Sequence, residues 1–582
     1  MRTVAALALG LWCLAAALCG QAPNVLVILA DDLGVDSVAC YQEGNDLPNT
    51  PNLDALAARG VLFRNAYAYP SCSPCRAAIL TGRHPTRTLV GRWIRDENNT
   101  GPAVGTIRAQ EWTIPELLDR AQSGYTHAAI GKWHMHDITF GAPAPRTLGG
   151  YSHYTGFLAG QLPSYYSWPR VANGASATST TYATTQQTDD ALAWIGAQPG
   201  PWFCYLAYNA PHLPMQAPPA NLHTRNLGGN PSQRQLYLAM IEAMDTEIGR
   251  LFATLGPTVM ANTHVIFLGD NGSIQNMAVA PFLGGRAKGT PYEGGINVPL
   301  ICAGPAVTAP GREVPALACA VDVFATVLEL TQSTAALPAW TATDGISLVA
   351  YLGNPQQTAL RQFAWSEEFT GNAWPAPNQN GHAVVRNDRY KLISRSNGVR
   401  ELFDLQADPF EAINLLGGTL TATQLSNYNA LLGEIARMRT PAATATTFGS
   451  GCAGSAGTPT AAAASTPRLG TTAAVQLAGG PANTLAVLAY GFSHTKQGIV
   501  NLPRSLQPWG TNPGCTQWFS LESTLARVSD AGGAASSPLT IPNVPALVET
   551  TFFAGWYVFD PAAPANSLGM TTSNALALVV GS

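Results

Sequence analysis

The chain has 582 residues, 46% of them hydrophobic and only 11% charged, with a formal net charge of −4. That length allows several domains and the apolar share allows large cores. Charge is far below the roughly 25% of an average soluble protein, and no basic block is present, so nucleic acid is excluded as the main partner.

Residues 1–20 carry Arg2, then an almost wholly apolar run from Val4 to Leu18, then small residues around Gly20. This is the pattern of a secretory signal and too short for a membrane span. It predicts a secreted, periplasmic or cell-surface protein with no transmembrane segment. Next, Asn24 to Ala30 is a continuous apolar run ending in Asp31-Asp32. Such a run suits a strand buried on both faces. Two more follow: Pro201 to Tyr208, leading into Asn209-Ala210-Pro211-His212, and His264 to Leu268, leading into Gly269-Asp270-Asn271-Gly272. Helical patterns at Asn52 to Arg59, Thr188 to Gln198 and Gln233 to Leu255 intervene. Alternating strands and helices predict an α/β sheet, whose ligands bind beyond the carboxyl ends of the strands.

After about residue 360 the pattern changes to shorter strands, at Ala383 to Val385, Tyr390 to Ile393 and Glu401 to Leu405, with a helix near Ser426 to Met438. This predicts a small antiparallel subdomain over 361–440, behind a larger α/β domain over 21–360. Residues 441–466 are rich in Ala, Thr, Gly and Ser and read as a linker. From Pro441 to the end there are four basic and four acidic residues, and short apolar runs alternate with Gly, Pro and Asn. Residues 467–582 therefore read as an all-β sandwich. Cys452 and Cys515 are the only cysteines in the final region and are expected to pair.

Asp31, Asp32, Asp270 and Asn271 are oxygen-bearing side chains at the ends of two predicted buried strands, the ligand type a hard divalent cation prefers. Each pair alone could equally cap a helix or shape a turn. Lys132 and His134, in Gly131-Lys132-Trp133-His134, and Lys288 add cations and an imidazole suited to an oxyanion and to proton transfer. Cys72 and Cys75 could form a redox pair or a disulfide.

The run Cys72-Ser73-Pro74-Cys75-Arg76, followed by Ala77 to Arg83, resembles the signature of type I sulfatases. The resemblance continues in order from about Asn24 to Leu416. It takes in Asn49 to Asp54, Tyr125 to His134, Tyr208 to His212, Gly269 to Gly272, Lys288 to Pro299 and Asp404 to Leu416. It implies an alkaline-phosphatase-like sulfatase fold: a large mixed sheet flanked by helices, the small antiparallel subdomain, and the added sandwich. It implies a sulfuric ester hydrolase in which Cys72 is oxidised to formylglycine by a formylglycine-generating enzyme. Asp31, Asp32, Asp270 and Asn271 would hold one metal, calcium rather than magnesium, with an oxygen of the modified Cys72 beside them. Arg76 would stabilise the aldehyde hydrate, and Lys132 and Lys288 would bind sulfate oxygens. Asp270 would help deprotonate the hydrate for attack on sulfur, and His212, with Lys288, would protonate the leaving alcohol. His134 would then serve as base when the second hydroxyl expels the sulfate.

Export favours a sulfated carbohydrate as substrate. Selectivity is expected in loops at Gly150 to Arg170, Pro214 to Arg225 and Phe369 to His382, where Tyr165, Tyr166, Trp168 and Trp374 could stack on sugars or simply pack. Asn297 stands where relatives commonly carry arginine, and Met135-His136 where Leu-Gly is usual. A phosphodiester or phosphonate hydrolase of the same superfamily and a non-catalytic sulfated-glycan binder are the competing readings. The final region resembles, more loosely, the small C-terminal β-sandwich of secreted planctomycete-type proteins, through Gly514-Cys515, Ile541-Pro542 and Ser573 to Leu576.

Overall fold

The computed structural model describes residues 22–94, 106–108, 110–136, 140–282, 285–370, 381–497, 500–544, 547–563 and 567–582. The expected signal lies outside them, as does Trp374. Ten strands form one mixed sheet: β1 (Asn24–Ala30), β2 (Gly60–Tyr67), β3 (Thr126–Lys132), β4 (His153–Phe157), β5 (Trp168–Ala172), β6 (Ala175–Ser179), β7 (Trp202–Ala207), β8 (Thr263–Gly269), β9 (Leu300–Ala303) and β10 (Arg312–Cys319). Their order is β10-β2-β9-β8-β1-β7-β3-β4-β5-β6. β8, β1, β7, β3 and β4 run parallel, whereas β9, β5 and β6 pair antiparallel.

The apolar runs are continuous because each central strand feeds two cores. Val25, Val27 and Leu29 of β1 face one, with Phe203 and Tyr205 of β7. Leu26, Ile28 and Ala30 face the other, with Cys204 and Leu206. Burying each such side chain stabilises by roughly 1.5–3 kcal/mol, before chain entropy is subtracted. Three expected helices form as Pro51–Ala58, Ala183–Gly196 and Gln233–Ala261. The last starts at a Ser232/Gln235 capping box. Its expected end at Leu255 falls on a break, where Gly256 takes φ 75° before Pro257.

A second sheet holds β11 (Ala364–Glu368), β12 (His382–Arg386), β13 (Tyr390–Arg395) and β14 (Arg400–Asp404), antiparallel in that order. The helix Ala422–Arg439 packs Leu431, Ile435 and Met438 onto it.

The C-terminal region is a sandwich of a five-stranded and a three-stranded sheet. Here the expected linker is corrected. Thr444–Phe448 pairs with Met570–Val579, and Thr460–Ala463 with Thr472–Ala478. Residues 441–466 thus supply one strand to each sheet. Their Ala and Thr side chains look like linker composition, but β-branched Thr suits an edge strand whose apolar partner supplies the burial. A Cys452–Cys515 disulfide ties this segment to the sandwich.

Candidate active site

The parallel register puts several strand ends at one level. Ala30 of β1 lies opposite Gly269 of β8, and Gly131 of β3 opposite Ala207 of β7. Asp31-Asp32, Asp270-Asn271, Lys132 and Asn209 therefore emerge together at the carboxyl edge of the sheet. Gly131 permits the close approach: its φ is 98°, and a Cβ there would lie 1.9 Å from the Ala207 carbonyl oxygen. Asp32 adopts φ 69°, uncommon for a residue with a side chain. The Tyr237 hydroxyl donates to its carbonyl at 2.7 Å and holds it there.

Cys72 opens the helix Cys72–Thr81, all of whose residues are buried. Its Sγ stands where an oxygen of formylglycine hydrate would be. Sγ lies 3.3 Å from Asp31 Oδ1, 3.8 Å from Asp32 Oδ1 and 3.7 Å from Lys288 Nζ. Burial, reinforced by the Asp270 charge, pushes the Cys72 thiol well above its usual range. As cysteine it is a protonated thiol, a poor nucleophile. Cys72 and Cys75 are both free, so the disulfide reading of this pair fails.

Arg76 follows one helical turn after Cys72 and is fully buried. It pairs with Asp270 at 2.8 Å and Asp31 at 3.4 Å and donates to the Lys132 carbonyl at 3.0 Å. Lys132 Nζ contacts Asp31 Oδ2 at 2.6 Å, and Lys288 Nζ contacts Asp32 Oδ1 at 2.5 Å. Burial alone would raise the Asp32 pKa, but Lys288, His212 and Lys132 together hold it well below the carboxylate range. Burial and then the neighbouring Asp31 push Asp270 up to about 6, against Arg76 and Lys132. Burial lowers His212 to about 3, opposed by Asp32. Its Nε2 lies 3.6 Å from Asp32 Oδ2, while Nδ1 faces the Leu213 carbonyl at 3.0 Å. His134, also at positive φ (52°), has Nε2 2.8 Å from the Ile94 carbonyl. Burial, then Lys132, keeps its ring neutral.

The donor set fits a divalent cation. Ligand atoms of Asp31, Asp32, Cys72 and His212 lie within 4.8 Å of one another. Asn271 donates Nδ2 to Asp32 Oδ1 at 2.8 Å, yet its Oδ1 is buried without a hydrogen-bond partner among the described residues. A buried orphan acceptor is costly unless something meets it, and a cation would. Asp270 accepts from Asp32 N at 3.0 Å through Oδ1 and from Arg76 through Oδ2, each oxygen retaining a lone pair.

A family model described as Sulfatase matches residues 23–333, more than half the chain. The chain belongs to the sulfatase family. A second model, N-sulphoglucosamine sulphohydrolase, C-terminal, matches residues 287–437 of this sulfatase. Human N-acetylgalactosamine-6-sulfatase is 33% identical over 57% of this chain, and the match spans 66% of that relative's length, just under two thirds. Human arylsulfatase G is 28% identical over 73% of this chain and 88% of its own. Among solved structures, Ps i-CgsB in complex with k-i-k-neocarrahexaose shares 25% identity with TM-score 0.59, covering 72% of this chain and 93% of that one. BT4656, solved with its substrate D-glucosamine-2-N,6-O-disulfate, shares the fold at TM-score 0.56 and 23% identity. Neither family model reaches the sandwich.

Beside Cys72 a cavity of about 780 Å³ is walled by Ser71, Lys288, Arg92, Trp93 and Tyr292 and by the second sheet. The expected aromatic platforms are differently placed. Trp168 and Tyr165 are buried, Trp168 donating to the Thr181 carbonyl and Tyr165 to those of Asn209 and His212. They are packing residues, because the strand and turn that carry them cover the second core. Trp93, which sequence reasoning passed over, is 38% exposed at the cavity wall. Among the described residues no helix is long and apolar enough to cross a membrane.

Proposed function

We propose that this chain hydrolyses a sulfate monoester on a carbohydrate, with Cys72 matured to formylglycine. The observation that carries the reading is the convergence of the buried Lys132, the half-buried Lys288, Arg76 and a cation-type donor set around one side chain, Cys72. Conversion of Cys72 by a formylglycine-generating enzyme would supply a hydrated aldehyde as the nucleophile toward sulfur. Asp31, Asp32, Asp270 and Asn271 would hold the cation, their oxygens suiting a hard ion such as calcium, and it would neutralise charge on the ester and nucleophile. Lys132 and Lys288 would bind the sulfate oxygens, since an anionic ester otherwise repels an anionic nucleophile. Asp270, oriented by Arg76, would accept a proton from the nucleophile. His212, neutral in the free protein, would take up a proton as the anionic ester binds beside it and pass it to the departing oxygen with Lys288, and His134 would assist release of sulfate. The apolar run before Gly20 supports export.

Protein co-expressed with the maturation enzyme should show formylglycine at position 72 in the tryptic peptide Asn65 to Arg76 by mass spectrometry. It should release inorganic sulfate from defined sulfated glycans, and the Cys72→Ala variant should release none. An unmodified Cys72 in protein that still releases sulfate would sink the mechanism. Faster turnover of nitrophenyl phosphate esters than of nitrophenyl sulfate would favour the phosphate reading.

A further inference from the structure

The cavity beside Cys72 has one regular wall. Glu368 ends β11, His382 begins β12 and Arg395 ends β13. The register sets Glu368 opposite His382, and His382 opposite Arg395. Directly opposed residues of antiparallel strands project from the same face, and all three line the cavity that Lys288 and Ser71 share. An acid, an imidazole and a guanidinium thus stand in one row across three strands, next to the sulfate-binding end of the site.

The row is positioned from behind. Arg395 Nη2 donates to Glu401 Oε2 at 2.7 Å and to the Tyr292 hydroxyl at 3.2 Å, and Tyr292 donates to Glu401 Oε1 at 2.9 Å. Both Arg395 contacts use Nη2, so the guanidinium is held from one corner. His382 is buried, and its Nε2 has no hydrogen-bond partner among the described residues. Glu368 faces Arg92 at 3.5 Å, and Arg92 stacks on Trp93 at 5.3 Å. The cavity lining therefore carries three cations, Arg92, Lys288 and Arg395, against the single acid Glu368. Burial, offset by Arg92 and Lys288, raises that acid to about 7, so it is partly neutral near pH 7. One cation suffices for one edge of a sulfate group, whereas this wall has two more.

We propose that Glu368, His382 and Arg395 read the sugar ring that carries the ester, and that Arg395 and Arg92 select a saccharide bearing a second anionic group over one whose only charge is the ester. The second group is a carboxylate or another sulfate, either of which suits a guanidinium fork. Trp93 offers the apolar face on which a ring can lie. The inference rests on the sulfate-ester reading and adds a substrate class to it.

The test is binding by the full chain in calcium, carrying Cys72→Ala so that no nucleophile is present and ligand is not consumed. Inorganic sulfate should raise its thermal midpoint, and Lys132→Ala should remove that effect. Absence of sulfate protection in the parent protein would overturn the sulfate-ester reading itself. Affinity is then measured for matched oligosaccharides of chondroitin sulfate and heparin, native and carboxyl-reduced, and for heparin pairs differing by one sulfate. The parent should bind the member with the extra anion about tenfold more tightly in at least one series, a difference of one decade in Kd. Arg395→Gln should bring the members of that pair within about twofold while leaving protection by inorganic sulfate intact, and Arg395→Lys should restore part of the preference. Intact sulfate protection with equal affinity for both members of every pair would overturn the proposal alone. So would an Arg395→Gln variant that weakens both members equally or neither.

Discussion

Asn271 shows how one side chain can be both anchored and available. Its Nδ2 is tied to Asp32 and to the Gly272 carbonyl at 3.1 Å, which fixes the amide and leaves Oδ1 buried without a partner among the described residues. Asn271→Leu should weaken calcium affinity, read by titration calorimetry, by at least about tenfold, the lower end of the cost of losing an outer partner of a metal ligand. Unchanged affinity would remove Asn271 from the ligand set. His84, just beyond the Cys72 helix, gives a pH signature of folding. Its ring is buried, with Nδ1 2.6 Å from the Tyr69 hydroxyl, and burial, resisted by Asp344, lowers it to about 3. Between about pH 6.5 and 3 the unfolded chain binds a proton that the folded chain does not. The stability this group contributes is therefore full above about 6.5 and declines as pH falls, by about 2 kcal/mol at pH 5. Urea midpoints at pH 7 and pH 5 should fall less in His84→Gln than in the parent, and equal falls would exonerate His84.

The helix that carries Cys72 ends at Gly82, with φ 68°. A Cβ there would lie 2.4 Å from Phe324 Cδ1, so both conformation and space require glycine. Gly82→Ala should cost about 2–4 kcal/mol, from the left-handed backbone and overpacking together. The loss would be visible as a lowered denaturant midpoint, and an unchanged midpoint would show that the cap is not stressed. In the sandwich, Cys452 and Cys515 are 63 residues apart. Opening that loop by Cys452→Ser should destabilise by roughly 2–5 kcal/mol, read by the melting transition under oxidising conditions. The strands of the sulfatase region were legible at this scale because burial on both faces leaves continuous apolar runs. The strands at Thr444–Phe448 and Thr460–Ala463 were not. Edge strands built of Ala and Thr have no such run, and their identity comes from the strands they pair with.

Across the whole molecule, one carboxylate joins the sandwich to the segment that follows the Cys72 helix. Glu549 is buried and bonds Arg83 Nη2 at 2.9 Å and Arg87 Nη1 at 2.5 Å. Those arginines follow directly on the Cys72 helix. Arg83 also meets Glu111 at 3.1 Å, and Arg87 meets Asp344 at 2.9 Å. Aromatic packing of Trp340 against Phe448 and Phe553 completes the seam. Glu549→Gln removes one of two carboxylate partners from each arginine, leaving Glu111 and Asp344, and should cost about 1.5–3 kcal/mol. A protein ending at residue 440 should show the same loss and a more protease-sensitive Arg83 to Leu89 segment. A truncated chain as stable as the full one would make the sandwich a mere appendage.

The sequence alone picked out Cys72, the acidic pairs, the lysines and the histidines that the fold brings together, because each belongs to a short contiguous motif and the strands before the acidic pairs announce themselves by apolar runs. It also determined the two-sheet order of the sulfatase region and the presence of a β-rich tail. Only the tertiary structure decided that Glu549 braces the Cys72 helix across a separation of 466 residues, that Tyr165 and Trp168 face the core, and that Glu368, His382 and Arg395 form a row. Local motifs are written in neighbouring residues. Cross-strand register and domain docking depend on which distant backbones meet, and no pattern along a single chain records that.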